Sequence, residues 1–122
     1  MGRMVLLIAI EPRSYRQVIG QTIQALRPHI EVVVLEPSTL GAGVTRLDPD
    51  LVFADRPDTF GPGGGPTRRS AWVEFRPYEE PPARVRLAGR TWELEEVELS
   101  DLLSIVDEAE ELSRTARELG NC

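Results

Sequence analysis

Residues 49–58 read PDLVFADRPD: a Pro-Asp turn signal, a short apolar run, and an acid, Asp55, where the run stops. The same grammar occurs twice upstream. VLLIAI at 5–10 ends at Glu11-Pro12, and EVVVLEP at 31–37 ends at Glu36-Pro37. Continuous apolar runs of this length suit strands of a parallel sheet buried on both faces. Between the first two runs, Ser14 and Gln17 have capping-box spacing, and Tyr15, Ile19, Ile23 and Leu26 recur at helical intervals until Pro28. Between the second and third, Leu40, Val44 and Leu47 keep helical spacing, but Gly41 and Gly43 predict a short or irregular helix. The result is a βαβαβ unit with right-handed crossovers and an α/β fold. Functional groups of such sheets gather at the carboxyl ends of strands, which puts Glu11, Glu36 and Asp55 on one edge.

The second half has a different texture. Residues 56–70, RPDTFGPGGGPTRRS, are too rich in Gly and Pro for a helix and read as a loop. The loop has no P-loop Gly-Lys-Ser/Thr and no GxGxxG opening a helix, so its glycines do not make a phosphate cradle. AWVEF at 71–75 is a fourth strand. A hairpin over about 83–97 follows, with Val85 and Leu87 alternating with arginines, a turn at Ala88-Gly89, and Trp92, Leu94 and Val97 as its apolar members. The chain closes with a helix over about 100–118, with Ser100 as N-cap, Asp101 in the first turn, and an apolar face of Leu102, Leu103, Ile105, Val106, Ala109 and Leu112.

Composition narrows the function classes. A length of 122 residues is one domain, 1–122. A net charge of −6 with scattered arginines argues against a nucleic-acid partner. MVLLIAI is too short to span a membrane and lacks a signal-peptide cleavage site, so a cytoplasmic protein is expected. Every one of the 14 basic residues is Arg, which excludes lysine-dependent chemistry. One His, His29, and one Cys, Cys122, support neither a nucleophilic triad nor a Cys-based metal site. Arg68-Arg69 is the one tight basic pair, read as a solvated loop or as an anion contact together with Arg56.

VLLIAIEPRSYRQVI and PDLVFAD together resemble the receiver domain of bacterial two-component response regulators. The resemblance implies a flavodoxin-like, three-layer α/β fold with a mainly parallel five-stranded sheet in the order 2-1-3-4-5. It also implies that Asp55 stands at the phosphoacceptor position, phosphorylated by a histidine kinase with Mg²⁺. Ala9 and Ile10 stand where the family has its metal-binding acids, the fourth strand ends in Glu74, Phe75 and Arg76 without the family's Ser or Thr, and no Lys exists for the last strand. Only Glu11 and Asp55 remain as candidate metal ligands. The resemblance is therefore to a degenerate, or pseudo-, receiver whose third and fourth helices are replaced by the Gly/Pro loop and the hairpin.

The expected function is a non-enzymatic, cofactor-free signalling or scaffold module that works through protein-protein contacts. The alternatives are a phosphoacceptor using Asp55 with Mg²⁺ and a histidine kinase, or a sensor of a small anion or nucleotide at the carboxyl edge. Asp55 itself is expected to accept a hydrogen bond from a backbone amide of the Asp-Arg-Pro-Asp turn. In the family's layout the first and last helices cover one sheet face and the other three cover the second. With two of those three missing, a homodimer is expected through that face or the nearby hairpin, anchored by Phe60, Trp72 and Trp92. The competing expectation is a monomer in which the Gly/Pro loop folds back and Phe60 fills the vacancy.

Overall fold

The computed structural model describes residues 4–64 and 71–120. Six strands form one mixed sheet in the order β2-β1-β3-β4-β5-β6. β1 (Val5–Ala9), β2 (Glu31–Val34), β3 (Leu51–Ala54) and β4 (Ala71–Phe75) are mutually parallel, whereas β5 (Ala83–Leu87) and β6 (Arg90–Leu94) form an antiparallel hairpin at the β4 edge. The expected fifth parallel strand is thus replaced by β5, which runs the other way. The reason is chain length: a parallel return needs a crossover of about a dozen residues or more, and the β4–β5 connection has only residues 76–82, three of them proline. Both residues of the hairpin turn, Ala88 and Gly89, have positive φ, 53° and 80°, as the tight two-residue turn requires.

Three α-helices are present among the described residues: α1 (Arg13–Leu26), α2 (Leu40–Leu47), and α3 (Leu99–Gly120). Their starts differ from the sequence expectation. α1 opens on Pro12, whose carbonyl accepts from the amides of Tyr15 and Arg16, so Ser14 lies inside the helix and caps nothing. α3 begins before Ser100: the Asp101 carboxylate accepts from the Glu98 amide at 2.9 Å, the back-reaching half of a capping box. α2 is short, as its glycines predict, and is preceded by a single 3₁₀ turn, Pro37–Thr39.

The central strands β1, β3 and β4 are buried on both sides, whereas the edge strands β2 and β6 are only partly so. α1 and α3 cover one face, where Leu6, Ile8, Phe53, Val73 and Val85 pack with Ile23, Leu102, Ile105 and Val106. On the other face Leu7, Ala9, Val52, Ala54 and Trp72 pack beneath Leu40 and Val44 of α2, with Phe60 against them. The Phe60 and Trp72 rings stack at 5.8 Å. The second face is therefore covered from within the chain, by α2 and the segment after β3. Gly41 and Gly43 fit this packing: a Cβ on Gly43 would lie 2.5 Å from a Leu35 methyl, and Gly41 faces the Phe60 ring. No described helix is long and apolar enough to cross a membrane.

Candidate functional site

The carboxyl edge of the parallel strands is where the sequence places its acids, and arginines engage Asp55 there closely and Glu11 at longer range, while Glu36 offers its backbone carbonyl to the Thr39 amide and hydroxyl. Asp55 follows β3 directly, with its side chain one-quarter exposed. Its Oδ1 accepts from Arg56 Nε at 2.8 Å, and its backbone carbonyl accepts from Arg76 Nε at 2.9 Å. The expected amide bond in the turn is made by Asp58 instead, whose Oδ1 accepts from the Phe60 amide two residues on. Arg76 also pairs with Glu74 at 2.6 Å and Glu79 at 3.4 Å, so one guanidinium joins the ends of β3 and β4 to the loop beyond. Glu11 projects into solvent, 3.7 Å from the buried Arg16, which itself donates to the Ile10 carbonyl.

This donor set does not fit Mg²⁺, which takes near-octahedral oxygen coordination anchored by carboxylates. Ala9 and Ile10 are fully buried apolar side chains, Asp55 is engaged by Arg56, and no three of Asp, Glu, His or Cys converge among the described residues. Arg68 and Arg69 lie outside the described residues, so of the candidate anion contacts only Arg56 can be placed, and it is paired with Asp55.

The aromatic residues expected at an interface are distributed differently. Trp72 is buried, and its indole N–H donates to the Arg56 carbonyl at 2.9 Å, which places it inside the fold rather than at a surface. Phe60 covers it. Trp92 is half-buried on β6, with the Arg90 guanidinium 5.3 Å above its ring.

Two features have no counterpart in the sequence reading. Asp58, with its side chain 2% exposed, accepts from Arg86 of β5 at 2.7 Å and so fastens the segment after β3 to the hairpin. The Asp-x-Phe-Gly spacing is the local signal that could have revealed its turn. The second feature is an aromatic ladder beside the carboxyl edge: Phe75, Tyr15 and Tyr78 stack in sequence at 6.4 and 6.3 Å, with exposures of 6%, 40% and 80%. It opens into a groove of about 490 Å³ between the N-terminal ends of α1 and α3, floored by Ile19 and Leu102 and flanked by Val18 and Leu99. Toward their other ends the two helices are joined by the two-bond Arg27–Asp107 pair and by His29–Glu110.

No family model, curated protein or solved structure matches the chain.

Proposed function

We propose that the chain is a non-enzymatic, receiver-like signalling or scaffold module that acts through protein contacts and is not phosphorylated in the Mg²⁺-dependent way. The β2-β1-β3-β4 order of its parallel half supports the receiver-like arrangement. The observation that carries the function is the exposed aromatic ladder and its groove, set beside an edge whose Asp55 and Glu74 carboxylates are engaged by arginines. Stacked aromatics leading from a core to solvent, next to an apolar hollow, have the composition and shape of the anchor regions that dominate protein interfaces. Phosphoryl transfer to Asp55 would require displacing Arg56 and recruiting carboxylate oxygens that Ala9 and Ile10 cannot provide.

Incubation with acetyl phosphate and Mg²⁺, followed by intact-mass measurement, tests the chemical half of this reading. No phosphoryl adduct is expected; a Mg²⁺-dependent adduct lost in Asp55→Asn overturns it. A photo-crosslinking residue tests the contact half. Placed at Val18 or Tyr78 in cells, it should capture a defined protein that the same residue at Thr45, exposed on α2, does not. Equal capture from both places removes the groove as the contact site.

A further inference from the structure

The two outer edges of the sheet are not equivalent. At β2, Gln24 of α1 reaches over: its side-chain oxygen accepts from the Val32 amide at 3.2 Å and its nitrogen donates to the Ile30 carbonyl at 2.7 Å. That edge is partly capped by the chain itself. β6 has no such cover among the described residues. In the two-residue hairpin Leu87 and Arg90 form the hydrogen-bonded pair next to the turn, so Arg90, Trp92 and Leu94 direct their backbone groups toward β5. Thr91 and Glu93 therefore direct an N–H and a C=O each to the open side.

We infer that two copies of the chain pair antiparallel through β6 about a two-fold axis at Trp92, joining their sheets into one. The geometry is self-consistent. With Trp92 opposite its symmetry mate, Thr91 of each copy exchanges both backbone bonds with Glu93 of the other, and the two tryptophans form the close, non-hydrogen-bonded pair. Both lie on the α3 side of the sheet, beside a hollow of about 580 Å³ lined by Arg90, Thr91, Trp92 and Glu108.

Charge selects the same arrangement. β6 starts with Arg90 and runs toward Glu93, Glu95 and Glu96. Charges on an edge strand ordinarily discourage strand addition. Parallel self-pairing would set like charges side by side, whereas in the antiparallel register Glu93 faces Thr91 and Arg90 faces Leu94, next to Glu95 and Glu96 of the other copy. The occupant is thus a second copy of this chain, and its docking does not depend on what the α1–α3 groove binds.

Proline at position 91 provides a selective test, because it removes an amide that points away from β5 and leaves the hairpin's own bonds in place. In sedimentation equilibrium at micromolar concentration, the native chain and Thr91→Ala are expected to be dimers and Thr91→Pro a monomer with unchanged circular dichroism. A native chain that stays monomeric overturns the inference, as does a dimer that survives Thr91→Pro. Should Thr91→Pro fail to fold, amide exchange on the native chain decides: Thr91 and Glu93 should gain protection as concentration rises, and exchange that is fast at every concentration overturns the pairing.

Discussion

At the scale of single residues, the acids of the 49–58 stretch divide their roles by what surrounds them. Asp50 accepts from the Val5 amide and the Ser113 hydroxyl, both at 2.9 Å, and so ties the start of β3 to β1 and α3. Asp58 lies in a nearly closed site against Arg86, while Asp55 meets a neighbour, Arg56, that is itself 43% exposed. Removing one member of a buried ion pair costs several kcal/mol, because the other loses a charged partner where water cannot replace it, whereas an exposed pair contributes little. Asp58→Ala is therefore expected to lower stability by about 3 kcal/mol and Asp55→Ala by less than about 1 kcal/mol, compared by urea unfolding. The reverse order would assign Asp55 a buried network. A separate pH dependence belongs to Asp107, whose carboxyl is held below its ordinary value chiefly by the hydrogen bonds from Arg27. A lowered folded value means that the group stabilises the fold above its unfolded value, about 3.9, and that this is lost as pH falls through the lower folded value. Asp107→Asn should accordingly be less stable than the native chain at neutral pH, with their urea midpoints converging in acid.

Among the elements, α2 shows how a sequence cost can coincide with a packing need. Its two glycines weaken the helix, but they are not equivalent. A Cβ on Gly43 would press on a Leu35 methyl at 2.5 Å, while one on Gly41 would rest 3.4 Å from the Phe60 ring in ordinary contact. Gly41→Ala is expected to stabilise the protein by roughly 0.5–1 kcal/mol, through helix propensity and a less flexible unfolded chain, seen as a raised thermal midpoint. A loss would show that Phe60 cannot tolerate the added methyl. Elements were legible in the sequence wherever periodicity and punctuation agreed: the apolar runs of β1 and β3, the Ala88-Gly89 turn, and the stripe of α3. Helix starts were not: Ser100 has the side chain of an N-cap, yet α3 opens earlier, where Asp101 accepts from the Glu98 amide, and which amide Asp101 reaches depends on how the chain leaves the hairpin. At the candidate site the position of Asp55 was legible, but its partners were only half so. Arg56 is adjacent in sequence, whereas Arg76 reaches Asp55 across 21 residues and Arg86 reaches Asp58 across 28, separations that leave no local pattern.

For the whole molecule, the decisive question is how central strands apolar on both faces stay out of water with only one short helix on the second face. The answer lies in the path after β3. Asp58 pins that segment to β5, the pinned segment lays Phe60 over Trp72, and Gly41 leaves room for the ring beside α2. This arrangement also explains why the same aromatics suggested an interface in the sequence: the residues that would anchor a partner are those that close a face from within, and composition does not distinguish the two uses. Truncating Phe60 should then do more than remove one ring. Phe60→Ala is expected to cost about 2 kcal/mol, less than the loss of a fully enclosed phenylalanine because Phe60 is only half-buried. It should also expose Trp72, which is 3% accessible in the intact fold. In a Trp92→Phe background, where Trp72 is the one remaining tryptophan, the emission maximum should shift to the red in Phe60→Ala, and the affinity for an apolar dye should rise. If emission and stability both stay unchanged, Trp72 is covered by something other than Phe60, and the part assigned to that ring in closing the second face is refuted.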